Sequence, residues 1–251
     1  MDLAPLYDAV IANPNDEGAR LAYANAVRAT DPARAELVEL QLQLAKWRSE
    51  RRSPPEATPL YNRQHALRTA HGDRWAADVR DLASRWMFRR GFVEEVTLDA
   101  RTFLARAPEL YRRAPILHLT LTGAKPVVPA LFGSPYLDRI RSLSLARNDL
   151  GDAEVATLAG SPHLAAMRWL DLSDNPVGQA GLEALAASPH LPALQYLGFA
   201  DTAIPDPTPA HRDEYDADSA VAKQLVTKYG ARPWLSAAPP RAEWPPDRDA
   251  V

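Results

Sequence analysis

The sequence predicts an α/β fold: an N-terminal helical cap followed by a short repeat solenoid with parallel strands and convex helices. Three observations carry that prediction. The frame Ile140-x-x-Leu143-x-Leu145-x-x-Asn148-x-Leu150 returns 27 residues later as Met167-x-x-Leu170-x-Leu172-x-x-Asn175-x-Val177, and after another 27 as Leu194-x-x-Leu197-x-Phe199-x-x-Thr202-x-Ile204. A second marker keeps the same register, as Ser134-Pro135-Tyr136-Leu137, Ser161-Pro162-His163-Leu164 and Ser188-Pro189-His190-Leu191. Between frames, Val155, Leu158 and Ala159, then Leu182, Leu185 and Ala186, fall at inward helical spacing. Self-similarity at such a period marks units that each cover the apolar flank of the next.

The cap occupies residues 1–85. Leu3, Leu6, Tyr7, Val10 and Ile11 define a first helix, which Asn13-Pro14-Asn15-Asp16 ends while supplying a cap for the second. The second turns Ala19, Leu21, Ala22, Ala26 and Val27 inward, and Thr30-Asp31-Pro32 closes it and opens a third. That third helix, with Leu37, Leu40, Gln41, Leu44 and Trp47, is the long one, fading into an exposed linker from Ser49 to Pro55. A helix from Thr58 to about Ala70 follows, then, after His71-Gly72-Asp73, a shorter one carrying Trp75, Val79 and Leu82.

The period changes at Trp86, where two short extended pieces flank Gly91 and lead into Val96 and Leu98. The solenoid therefore runs over residues 86–204, because Val93-x-x-Val96-x-Leu98 and Ile116-x-x-Leu119-x-Leu121 add two turns to the three clear ones. Residues 205–230 contain a capping helix, roughly Ala217 to Tyr229, that stops at Gly230. Residues 231–251, with Trp234, Trp244 and five prolines, form a tail that is extended or disordered unless its tryptophans dock.

Composition narrows function. The 29 Lys and Arg against 32 Asp and Glu give a net charge of −3, so a polyanionic partner would need a local basic face. The doublets Arg51-Arg52, Arg89-Arg90 and Arg112-Arg113 are flanked by acidic or apolar residues, and no nucleic-acid partner is predicted. The absence of Cys excludes disulfides and thiolate chemistry. Met1-Asp2-Leu3-Ala4-Pro5 lacks the basic start of a signal peptide, and no run approaches the ~20 apolar residues of a membrane span, so a cytoplasmic protein with no membrane contact is predicted.

The repeats resemble leucine-rich repeats of the ribonuclease-inhibitor type, over about Phe92 to Ile204. Leu6-Tyr7-Asp8-Ala9-Val10-Ile11-Ala12-Asn13-Pro14-Asn15-Asp16, with Arg20-Leu21-Ala22-Tyr23-Ala24 and Ala35-Glu36-Leu37-Val38-Glu39-Leu40-Gln41, is similar to the bacterial repeat-companion domain that precedes such repeats. Arg90-Gly91-Phe92-Val93-Glu94 fits its junction, whereas Tyr23-Ala24-Asn25-Ala26 stands where its pattern reads Tyr-Ala-Asp-Trp. The resemblance implies a fold and, by analogy, protein binding; it implies no catalytic activity.

The frame also assigns sides. Because a strand alternates with period two, Leu143 and Leu145 point inward while Ser144 points out. On the concave face one row reads Glu95, His118, Ser142, Trp169 and Tyr196, and the next Thr97, Thr120, Ser144, Asp171 and Gly198. Trp169 and Tyr196 are the predicted partner anchors, since large exposed aromatics have no core role and commonly dominate interfaces; the alternative is that they pack on each other or on the C-terminal tail. His118 joins them, Asp171, Asp174 and Asp201 line the neighbouring edge, and Arg147, Arg168 and Arg141 stand beside them. His163 and His190 belong to the recurring turn and are read as structural. Asp171-x-x-Asp174 lacks a third carboxylate nearby, so no metal is assigned, and neither is a cofactor. The sequence thus predicts a non-catalytic scaffold holding an unidentified protein partner. An accessory subunit of an enzyme, of GTPase-activating type by fold analogy, or a component of a larger assembly are its alternatives.

Overall fold

A computed structural model describes residues 2–50, 52–203 and 220–236. The fold is mixed α/β, with one six-stranded sheet of order β1-β2-β3-β4-β5-β6. Two compact units divide it: Met1–Val96 with Pro108–Leu117, and Thr97–Ala107 with His118–Pro239. No helix among the described residues is long and apolar enough to cross a membrane.

The first unit is built on α1 (Ala4–Ala12), α2 (Glu17–Val27), α3 (Pro32–Ser49) and α4 (Ala57–Trp75), followed by β1 (Arg85–Arg89) and the start of β2 (Phe92–Asp99). Two aspartates start helices. Asp16 accepts from Ala19 N and caps α2, and Asp31 accepts from Arg34 N and caps α3. Asp31 also accepts from Trp75 Nε1 and Arg74 Nη2, both at 2.8 Å, which ties the end of α4 to the start of α3. This tie accounts for a departure from the sequence reading: α4 runs unbroken through Gly72 to Trp75, and no separate helix carries Val79 and Leu82. Tertiary anchoring of Trp75 outweighs the ~1 kcal/mol that glycine costs a helix interior.

The inward face of α2 differs too. Arg20, Ala24 and Val27 are buried, whereas Leu21 is exposed. Arg20 donates to Pro14 O and Arg90 O and pairs with the equally buried Glu94, which also holds Arg90. Burial pushes the Arg20 guanidinium down to about 10, against the opposing pull of Glu94. Beside this pair, Tyr7, Tyr23 and Phe92 form a ring cluster with centroids 5.1 to 5.8 Å apart. The Phe92 ring carries a guanidinium on two approaches, Arg20 at 5.1 Å and Arg34 at 5.2 Å. Arg34 also faces Trp75 and Phe88, and its Nη1 is buried without a hydrogen-bond partner among the described residues.

Tyr7 gives this core a measurable pH dependence. Its hydroxyl donates to Arg113 O at 3.0 Å, and burial, only partly opposed by Arg34, pushes the phenol up to about 12 from 10.0. A phenol with a raised folded value contributes stability that is complete below about pH 10 and is lost as pH climbs to about 12. Wild type should therefore lose roughly 2–3 kcal/mol relative to Tyr7→Phe across that interval, read by urea titration at each pH. Parallel curves for the two proteins would refute it.

In the second unit, β3 (His118–Thr122), β4 (Ser142–Ser144), β5 (Trp169–Asp171) and β6 (Tyr196–Gly198) pair in parallel. Their register puts Leu119, Leu143, Leu170 and Leu197 side by side, and all four are buried. Helices α6 (Val128–Phe132), α7 (Asp152–Ala159) and α8 (Gln179–Ala187) connect the strands, and α7 packs between its neighbours. Helix α5 (Ala100–Arg113) follows β2.

The turns explain the frame. Asn148 donates through Nδ2 to Leu121 O, Leu145 O and Ala146 O and accepts from Ala124 N. Asn175 repeats the arrangement one unit on, donating to Leu145 O, Leu172 O and Ser173 O and accepting from Asn148 N and Leu150 N. Two serines of the Ser-Pro-x-Leu marker have a parallel task. Ser161 Oγ donates to Phe132 O and Ser188 Oγ to Ala159 O, joining each marker to the end of the helix one unit earlier.

At the far end α9 (Ala220–Tyr229) stops at Gly230, whose φ is +83°, and α10 (Pro233–Ser236) follows. Glu183 of α8 accepts from Lys228 Nζ and Tyr229 OH, and Ala186 O accepts from the Arg232 guanidinium. Trp234 is buried, so the predicted tail is helical and docked as far as Ser236. Trp244, Ile204 and residues 217–219 of the predicted capping helix lie outside the described residues.

Candidate functional site

The residues singled out from the sequence separate into two places on the second unit. On the outward sheet face the register aligns His118, Ser142, Trp169 and Tyr196, and beside them Thr120, Ser144, Asp171 and Gly198, as the frame requires. This face is knitted internally. His118 Nδ1 and Ser142 Oγ stand 2.8 Å apart, Ser144 Oγ donates to Asp171 Oδ2, and Asp171 Oδ1 accepts from Ser173 N. Asp171 leans over the next strand so closely that a Cβ at Gly198 would meet its Oδ1 at 2.5 Å.

The aromatic anchors are where the sequence placed them but not as exposed as it required. Trp169 is 3% and Tyr196 8% exposed, which corrects the expectation of two solvent-facing rings. Strands about 4.8 Å apart bring adjacent side chains into stacking range. The two rings accordingly lie with centroids 4.6 Å apart and planes inclined at 36°, so each covers part of the other. The row rule gives the side of the sheet correctly; it does not give what the side chains do to one another.

The second place is the row of turns that leave the strands. Gly123, Arg147, Asp174 and Asp201 occupy equivalent positions, and all four have left-handed backbone, with φ of +62°, +61°, +57° and +52°. Arg147 Nε donates to Asp174 Oδ2 at 2.9 Å, and the Arg147 side chain remains 82% exposed. Two residues further on, Lys125, Asp149, Pro176 and Ala203 make a parallel row, all exposed. Lys125 Nζ bonds Asp149 Oδ2 at 2.6 Å, which holds the ammonium above its usual range. Asp201 has no ion-pair partner among the described residues. Arg168 is exposed at the opposite end of β5, beside Arg141, whose guanidinium is held below its usual range by burial and by Arg168. The charges singled out from the sequence therefore do not surround the aromatics: Arg147, Asp174 and Asp201 form one rim and Arg168 another.

No protein-family model, curated protein or solved structure matches this chain.

His163 sits in its turn with Nδ1 2.9 Å from Asp138 Oδ1, and the backbone N of both His163 and His190 donates to the marker serine. No group of three metal-ligating side chains occurs among the described residues. Four arginines of the doublets are engaged with carboxylates: Arg52 with Glu50, Arg89 with Glu95, Arg90 with Glu94, and Arg113 with Asp81 and Glu109. Sequence reasoning put Arg147, Asp174 and Asp201 on a charged edge but not in one row of left-handed turns. The signal was present in the frame, because the residue before each Asn or Thr reads Arg147, Asp174 and Asp201, charged in every turn.

Proposed function

We propose that the second unit is a leucine-rich-repeat solenoid and that the protein is a non-catalytic scaffold which binds a protein partner through the rim of Arg147, Asp174 and Asp201. The asparagine ladder and the 27-residue register support the repeat assignment. One observation carries the binding reading. Arg147 stands in a left-handed conformation that costs an L-residue roughly 1–2 kcal/mol, at a position where the preceding turn uses Gly123 at no such cost. Its ion pair with Asp174 is exposed and returns about 0–1 kcal/mol. An arginine kept against local backbone preference, and held out into solvent, supports recognition rather than stability.

The test separates those two roles. Arg147→Gly should keep or raise the thermal midpoint, since it removes the backbone strain, while reducing capture of partners from native-cell lysate at least tenfold. Equal capture by both proteins would discard the rim as the binding surface.

A further inference from the structure

We infer that the outward sheet face over β4, β5 and β6 is the seat of the chain's own C-terminal segment, residues 237–251, with Trp244 against the stacked Trp169 and Tyr196 rings. The inference goes beyond the rim as a binding surface and does not depend on it. Burial on this face follows a gradient. His118 and Thr120 on β3 are half-buried, whereas Ser142, Trp169 and Tyr196 on β4 to β6 are 0%, 3% and 8% exposed. Stacking does not account for this, because two stacked rings cover one face of each and leave the other face and the outer edges bare. On its other side Trp169 has Ser142, a side chain too short to hide an indole, and Tyr196 stands on the edge strand with a neighbouring strand on one side alone. A further segment is needed over these three strands.

The chain supplies one at that edge. Helix α10 packs against β6 with Trp234 and Leu235 buried, and it ends at Ser236. Trp244 follows eight residues later; at about 3.3 Å per extended residue that stretch reaches roughly 26 Å, against about 10 Å from β6 to β4. The composition fits the seat. Pro239-Pro240 and Pro245-Pro246 bracket Trp244 and favour an extended polyproline backbone, the kind of segment that docks on aromatic-lined surfaces at low entropic cost. Arg241 and Arg248 stand three and four residues from Trp244, and Asp171 is the charged residue of the outward rows on β4 to β6. A seated tail closes this face to other proteins and leaves the turns as the surface that the second unit offers.

The absence of Cys makes a single-site label clean. In the full chain, Ala242→Cys carrying a nitroxide should broaden the backbone amides of Leu143, Leu170 and Leu197 in its own nitrogen-15 spectrum, with recovery when the nitroxide is reduced. Adding Trp244→Ala to that labelled chain should restore most of the lost signal. Without the label, Trp244→Ala should speed solvent exchange of the Trp169 indole N–H at least tenfold. A nitrogen-15 chain free of nitroxide, mixed with labelled chain of ordinary nitrogen, should show no broadening, since each tail sits on its own sheet. Sharp amides on all three strands of the labelled chain overturn the proposal and pass the cover to residues 204–219 or to another molecule. Equal broadening in the mixture overturns it in favour of a second copy's tail.

Discussion

Gly91→Ala should destabilise the first unit by more than about 3 kcal/mol, enough to leave its β-hairpin undocked. Arg90 and Gly91 form the two-residue turn between β1 and β2 with φ of +48° and +86°, the left-handed pair that two-residue hairpins favour. A Cβ on residue 91 would stand 2.3 Å from Val38 Cγ2 and 2.7 Å from Val38 Cα. The second distance decides the outcome, because a side chain can rotate aside but the backbone of α3 cannot. Withdrawal of the hairpin would also break a buried polar knot. Gln41 Oε1 accepts from Gly91 N at 2.7 Å, and its Nε2 donates to Gln64 Oε1 and Phe88 O. Each buried group stranded in this way costs about 1–3 kcal/mol. Adding Val38→Ala to the variant should recover less than half of the loss, since it removes Cγ2 and leaves Cα. Urea unfolding followed by tryptophan emission reads both proteins; near-complete rescue by the double variant would show that the side-chain clash alone was responsible.

How far the fold was legible follows from the kind of signal each part uses. The strand frame, the marker turns and the capping aspartates are local patterns, and they appear where the spacing puts them: Leu143 in the core row, Ser144 in the row of Asp171 on the other face though buried, Asp16 and Asp31 at helix starts. The core of the first unit was misread where burial depends on a partner distant in sequence. Arg20 reads as a surface residue until Glu94 and the Phe92 ring are brought to it, and Leu21 is displaced outward as a result. Helix α4 passes through Gly72 for a comparable reason, its last turn being held by Asp31.

The candidate site divides along the same line. Its row assignments were readable, because pleat and period fix which residues share a side. The exposure of Trp169 and Tyr196 was not, because it depends on side-chain packing that no period encodes. The charged edge was readable but its backbone was not: left-handed backbone at Arg147, Asp174 and Asp201 is set by the turn each residue closes, and neither Arg nor Asp advertises it as Gly123 does.

Asn175→Ala should cost the second unit about 3 kcal/mol, and substantially more than a comparable change at the surface. The amide is 2% exposed and serves two turns at once. Its donors reach Leu145 O of the preceding turn and Leu172 O and Ser173 O of its own, while its oxygen takes Asn148 N and Leu150 N. Alanine removes every one of these bonds and is too short to admit a replacement, leaving peptide groups unpaired in the interior. The packing volume lost with the carboxamide is a small part of the effect; the stranded backbone is the large part. Asn175→Leu, nearly the same size, should therefore be no better than alanine. Thr157→Ala, which removes one exposed hydroxyl bond on α7, should change stability by less than about 0.5 kcal/mol. Hydrogen exchange gives the decisive reading, because the amides of Asn148 and Leu150 should lose protection in Asn175→Ala before those of α2 and α3 in the first unit. If leucine restored stability, the role of Asn175 would be to fill space, and the ladder would not be what joins one turn to the next.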